Sequence, residues 1–259
     1  MTILEEIAAY AAERVRQAER NLPIEAVREQ ALALAGKDFA FEKALRKPEL
    51  AFICECKKAS PSKGIIAADF PYLQIAREYE QAGAECISVL TEPKWFLGSN
   101  SYLGEIAATV SVPCLRKDFV VSPYMIYEAR VSGAAAVLLI CSLLTEKELA
   151  DYIEICNSMG LSALVEAHNE AEVKMAVHAG AKIIGVNNRN LKDFSVDTEN
   201  SRRLRELVPP EIIFVAESGV SCAEDVQQLR QIGADAVLVG EALMRAADRK
   251  AKLAELRGA

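Results

Sequence analysis

An α/β fold of the (β/α)8 TIM-barrel class, with a helical extension at its N-terminus, is the architecture this sequence predicts, on three observations. Eight short apolar runs alternate with longer amphipathic segments from Ala51 onward. A Gly-Ala motif recurs before every second run, as AGAECI, SGAAAV, AGAKII and IGADAV. Its glycines, Gly83, Gly133, Gly180 and Gly233, are 50, 47 and 53 residues apart. The length, 259 residues, matches the roughly 250 that such a barrel uses. Strands alternating with helices imply parallel pairing, because parallel strands need a crossover. The repeat spacing equals two β/α units, and each glycine can end a helix with φ > 0 just before a strand. An open doubly wound sheet would more often carry G-x-G-x-x-G after its first strand; none is present, which also weakens a dinucleotide reading.

The elements follow in order. Ile3, Ile7, Tyr10, Ala11 and Val15 lie at helical spacing and predict an amphipathic helix over 3–20. A second helix is predicted over 24–35, closed near Gly36. Residues 1–50 hold no strand pattern. They are expected to pack as an extension on a barrel of residues 51–259, the whole one domain, since fifty residues enclose too little core to stand alone. Strands are predicted at 51–57, 85–90, 112–117, 135–140, 161–166, 182–187, 212–217 and 235–240. Thr145 with Glu148, and Ser221 with Glu224, form capping-box patterns at helix starts.

Composition bounds the function. Hydrophobic residues make up 51% and charged residues 26%, which suits a folded globular chain and argues against intrinsic disorder. A net charge of -7 argues against a dedicated nucleic-acid binder but leaves room for an anionic small molecule in a local basic pocket. The seven cysteines are irregularly spaced, and only His168 and His178 could assist them. Cys54 and Cys56 form C-x-C, neither the usual zinc pair nor a redox motif, so reduced, buried thiols and no metal are expected. The N-terminus lacks an apolar signal region, and the longest nearly apolar run, 133–144, falls short of the about 20 residues that span a bilayer. A cytoplasmic protein without membrane contact is the expectation.

The strands turn polar at their C-terminal ends, where barrels of this class carry their chemistry. The first closes with Glu55 and Lys57, the third with Arg116, Lys117 and Asp118, the fifth with Glu166, the sixth with Asn187, the seventh with Glu217 and Ser218. Alternation along the first strand sends Glu55 and Lys57 to one face and Phe52, Cys54 and Cys56 to the other. The charges then line the barrel mouth and the thiols pack against helices. Ser218-Gly219 and Gly240-Glu241 follow the last two strands, the common phosphate site of this fold, where backbone N–H groups hold an anion. Glu241 would act there through its backbone, its side chain directed away. Ser60-Pro61-Ser62-Lys63-Gly64 is a further donor-rich loop that could cover a phosphate or be a plain turn.

Together these residues resemble the indole-3-glycerol phosphate synthase family. The matching segments are ECKKASPSKG (55–64), VLTEPKWFLGS (89–99), LRKDFVVSPYMIYEAR (115–130), LLTEKEL (143–149), ALVEAH (163–168), IGVNNRNL (184–191), VAESGV (215–220) and VLVGEALM (237–244), in family order. The resemblance implies closure of an indole ring: a carboxyphenylamino-deoxyribulose 5-phosphate condenses, then loses carbon dioxide and water. It makes Lys117 the acid on the ketone oxygen and Glu166 the general base. Lys57 pairs with the substrate carboxylate and is a candidate acid at dehydration, the balance of its two roles left open. Glu55 and Glu217 orient the lysines, while Asn187 and Arg189 contact substrate. Phe96 and Phe119 lie near the anthranilate ring, with core packing an equal alternative. Ser60, Ser218, Gly219, Gly240 and Glu241 bind phosphate. No cofactor is implied, the partner is a phosphorylated small molecule, and family members are often monomers. The rival enzyme is another phosphate-binding barrel such as a phosphoribosylanthranilate isomerase, which would not need the E-x-K-x-x-S-P-S loop. The rival of another class is a catalytically silent barrel used for binding, against which an intact Lys57, Lys117 and Glu166 speak.

Overall fold

A computed structural model describes residues 2–34, 36, 38–190 and 194–258. Eight parallel strands close into a barrel: β1 (Ala51–Cys56), β2 (Cys86–Leu90), β3 (Cys114–Lys117), β4 (Ala136–Ile140), β5 (Ser162–Ala167), β6 (Ile183–Asn187), β7 (Ile213–Glu217) and β8 (Ala236–Val239). Each pairs with its sequence neighbours, and β8 returns to β1 with Ala51 opposite Ala236. All eight predicted strands are present within two residues of their expected ends. The four repeat glycines adopt φ between 72° and 86° just before β2, β4, β6 and β8, the left-handed helix exit that the repeat implied.

The strand period of two sorts the side chains. Ala51, Ile53, Cys86, Leu115, Leu138, Leu164, Ile183, Val215 and Leu238 fill the barrel interior. Phe52, Cys54, Cys56, Ile87, Val137, Val165, Phe214 and Val237 face the surrounding helices. Cys54 and Cys56 thus lie outside the barrel wall, and all seven cysteines are free.

The N-terminal segment holds three helices, α1 (Ile3–Asn21), α2 (Ile24–Ala33) and α3 (Ala40–Leu45). The predicted second helix ends earlier than expected; Leu34 already has extended backbone, and Ala35 lies outside the described residues. Helix α3 was not anticipated, being too short for a periodicity signal. It plugs the barrel floor: Phe41 and Leu45 join the interior cluster, fully buried. Val15, Val27 and Ala31 join the outer core, so α1 and α2 share the barrel's own packing.

Around the barrel run α4 (Tyr72–Gln81), α5 (Asn100–Ala107), α6 (Pro123–Val131), α7 (Glu146–Ser158), α8 (Glu170–His178), α9 (Glu199–Arg205), α10 (Ala223–Gln231), α11 (Glu241–Met244) and α12 (Arg249–Arg257). The Thr145/Glu148 box starts α7 as expected. The Ser221/Glu224 box does not form. The cap of α10 is Cys222 with Asp225, whose carboxylate instead collects the N–H groups of Ser221 and Cys222. The helix starts one residue later than that pattern needs, with Cys222 as its cap, so its third residue is Asp225 and not Glu224.

Candidate active site

At the C-terminal end of the strands opens a cavity of about 470 Å³. Every site residue named from the sequence contributes to its lining. The inward positions that are apolar deeper in the barrel become Glu55, Lys117, Glu166, Asn187 and Glu217 at its rim, so the strand register that builds the core also aims the charges. Lys57 follows β1 directly. Of the two basic residues ending β3, only Lys117 lines the cavity. Arg116 points outward, buried, onto the Met125 carbonyl and Glu128.

The charges are paired. Lys117 Nζ stands 3.4 Å from both Glu166 Oε2 and Glu217 Oε2. Lys57 Nζ lies 2.7 Å from Glu55 Oε1, and Ser88 Oγ donates to Glu55 Oε2 at 3.2 Å. Burial works against the Lys117 ammonium, but Glu217, Glu166 and Glu55 outweigh it and hold the group above the ordinary lysine range. Burial likewise opposes the Glu166 and Glu55 carboxylates, and the two are nonetheless held low: Glu166 by Lys117 and His168, Glu55 by Lys57 and Lys117. Glu217 goes the other way: burial and the charges of Glu166 and Glu55 raise it despite Lys117. Two carboxylates sharing one ammonium are thereby pushed apart, Glu166 downward and Glu217 upward.

Two glycines make room for this cluster. A Cβ on Gly185, inward on β6, would overlap Glu217 Oε1. One on Gly240 would sit 2.6 Å from Glu55 Oε1 and 3.0 Å from Lys57 Nζ.

The lining differs around the mouth. Beyond β2 and β3 it is apolar, with Leu90, Phe96 and Phe119, the two rings 5.9 Å apart, and α1 adds Ile3, Leu4 and Ile7. These α1 residues were missed because their spacing looks like ordinary helix packing. Beyond β7, β8 and β1 it is rich in donors: Ser60, Ser62, Ser218, Gly219, Ser221 and Gly240. The donor-rich loop after β1 folds as a small antiparallel hairpin, Ala59–Ser60 with Gly64–Ile65. Ser218 and Gly219 adopt φ of 66° and 92°, uncommon for the serine and readily met by the glycine, in the turn that follows β7. Ser218 Oγ donates to Asn187 Oδ1 at 2.9 Å, and the Arg189 N–H donates to the same oxygen at 3.0 Å. Arg189 Nη1 is held by the Phe194 carbonyl. Leu191, the last residue of the motif that carries Arg189, lies outside the described residues.

Glu241 lines the cavity, and its carboxylate is engaged through Oε1 by Arg245 Nε at 3.0 Å, one turn along, and by Lys63 Nζ at 3.7 Å. Sequence reasoning also passed over His168, which stands beside Glu166.

Known proteins resemble this chain along its whole length. The family model described as indole-3-glycerol phosphate synthase matches residues 4–256. The indole-3-glycerol phosphate synthase of Ruminiclostridium cellulolyticum is 57% identical over 257 residues, 99% of each chain. That of Lachnoclostridium phytofermentans is 48% identical, covering 98% of each. Among solved structures, 3-hexulose-6-phosphate synthase from Salmonella typhimurium aligns with TM-score 0.67 at 14% identity, covering 81% of this chain and 97% of that one. That likeness concerns the fold alone.

Proposed function

This chain belongs to the indole-3-glycerol phosphate synthase family, and from that premise we propose how its own residues close the indole ring of 1-(2-carboxyphenylamino)-1-deoxyribulose 5-phosphate. The observation that carries the proposal is the Lys117 ammonium, buried at 3.4 Å between the Glu166 and Glu217 carboxylates inside one cavity. Held protonated, Lys117 gives its proton to the ketone oxygen as the ring carbon attacks, so the alkoxide never forms free. The substrate carboxylate then leaves as carbon dioxide, restoring electrons to the ring. Glu166, held ionised, takes the proton whose removal makes the indole double bond, while the hydroxyl departs as water. Lys57 pairs with the carboxylate and is the nearest further acid for the departing hydroxyl. Glu55 keeps Lys57 charged and placed, and Glu217 does so for Lys117. The apolar arc with Phe96, Phe119 and the α1 residues receives the anthranilate ring. The arc of Ser60, Ser218, Gly219, Gly240 and the Glu241 backbone receives the phosphate. Asn187 and Arg189 meet the substrate between these arcs.

The helical extension and barrel work as one unit in this reading, since α1 walls the ring subsite. No organic cofactor is invoked, the substrate's own amine nitrogen supplying the electron push. We place the enzyme in the cytoplasm, acting as a monomer in tryptophan biosynthesis; no helix among the described residues is long and apolar enough to cross a membrane. A steady-state assay with the carboxyphenylamino substrate tests the proposal. Carbon dioxide release together with growth of indole emission is expected, and absence of both overturns it.

A further inference from the structure

We propose that His168 is a positioning residue for this reaction: as an imidazolium clamped between Glu166 and Glu172, it fixes the Glu166 carboxylate with its other oxygen toward Lys117. The inference rests on Glu166 acting as the general base.

His168 lies two residues beyond Glu166, so the strand period leaves both on the inward side. Its Nδ1 stands at hydrogen-bond distance, 3.0 Å, from Glu172 Oε2, and its buried Nε2 lies 3.2 Å from Glu166 Oε1, an ion-pair contact off the line of a hydrogen bond. Glu166 Oε2 meanwhile faces Lys117. A neutral imidazole carries one N–H and one lone pair, and would turn the lone pair on one of the two carboxylates. Only the doubly protonated ring suits both. Burial disfavours that charge, but Glu166 and Glu172 outweigh it and lift the ring's pKa to about 10.

Glu172 is itself anchored, which makes the ring a rigid support. Its Oε2 accepts the His168 backbone N–H at 2.8 Å, and its Oε1 accepts from Asn169 Nδ2 at 2.8 Å. Asn169 caps α8 in return, through the Glu172 N–H. Asn200 Nδ2 donates to the His168 carbonyl from α9. The other titratable groups around the ring come from three further elements. Cys141, in the turn after β4, bonds the Glu172 carbonyl and has its thiol pushed up to about 12, mainly by burial. Lys117 lies beyond Glu166, and Arg189, Asp197 and Arg203 share with His168 a second cavity. The ring thus lines the second cavity and stands behind the Glu166 carboxylate, which lines the first.

The experiment compares His168→Ala, His168→Gln, Glu172→Gln and Glu166→Gln with the wild type, by kcat, KM and the pH dependence of kcat/KM. In His168→Ala, kcat is expected to fall about 10- to 100-fold with KM changed less than about threefold. The acid limb of the profile is expected to move up by about half a pH unit or more, because Glu166 loses a neighbouring cation. His168→Gln restores a donor without charge, so kcat recovers in part while the limb stays displaced. Glu172→Gln moves the limb the same way by less, and its limb decides the matter should His168→Ala not fold: a displaced limb supports the clamp and an unmoved one overturns it. A folded His168→Ala with wild-type kcat and an unmoved acid limb likewise overturns the clamp. Full turnover in Glu166→Gln overturns instead the assignment of Glu166 as base, so the two failures are distinct.

Discussion

Replacing Lys117 with methionine removes the central charge of the site while keeping most of its volume. Its ammonium makes two contacts of 3.4 Å to buried carboxylates. At an effective dielectric of about 20, each is a gross attraction of about 5 kcal/mol. Desolvation offsets much of that, and deleting one partner of a buried pair costs about 3–5 kcal/mol net. A domain of about 5–15 kcal/mol stability survives such a loss, so Lys117→Met is expected to fold and to melt lower. The deficit depends on pH. In the wild type Lys117 and His168 outweigh burial and hold Glu166 low, which adds stability above the unfolded carboxyl's pKa. In the variant His168 still faces Glu166, but the Glu166–Glu217 pair loses its shared ammonium and rises as a unit, keeping more protons near neutral pH than the wild-type pair or the unfolded carboxyls. The folded state then binds more protons than the unfolded one, so its stability falls as pH rises. The gap in Tm between the two proteins is therefore smallest near about pH 5 and widens toward about pH 8. Turnover drops by about a hundred- to ten-thousand-fold, the contribution of a placed acid. Calorimetry at both pH values and indole emission measure the two effects. An equal Tm gap at both, or turnover within about tenfold of wild type, refutes the reasoning.

Two further outcomes are expected. Gly185→Ala drives a methyl group into Glu217 Oε1 and against Leu164 Cδ1; it should cost about 1–3 kcal/mol by overpacking and lower kcat with Glu217 displaced, whereas unchanged kcat and Tm would show that the carboxylate is not confined there. Arg14→Ala cuts the two-toothed contact, 3.1 and 2.7 Å, that ties α1 to Asp118 beside Lys117. Asp118 keeps Thr91 at 2.6 Å, so the stability loss should be about 1–3 kcal/mol. KM should rise more than kcat falls as Ile3, Leu4 and Ile7 loosen over the ring subsite, and a KM equal to wild type would remove α1 from substrate binding.

Much of this was legible in the chain because barrel strands are regular. A period of two, polar only at the C-terminal ends, placed Glu55, Lys57, Lys117, Glu166, Asn187 and Glu217 at one mouth before any coordinates. The Gly-Ala repeat located four helix exits through a local backbone demand that glycine alone meets cheaply. What failed was non-local or too short to be periodic. Helix α3 has six residues, and only the empty barrel floor gives Phe41 and Leu45 a reason to be buried. The choice of Asp225 over Glu224 at α10 turns on a one-residue shift in where the helix starts. His168 carried a visible signal, a titratable group two positions past Glu166, but its meaning required Glu172 to be seen on its far side.

The sequence by itself determined the barrel, its register and the set of charged groups at the mouth, since these follow from local periodicity and handedness. Only the tertiary structure decided which charges pair and in which direction each carboxylate's pKa moves. Lys117, Glu166 and Glu217 lie on three strands far apart in the chain, and their ionisation depends on distances and burial that exist only after the barrel closes. The same closure turns α1, an ordinary amphipathic helix, into a wall of the site through Arg14 and the buried Asp118.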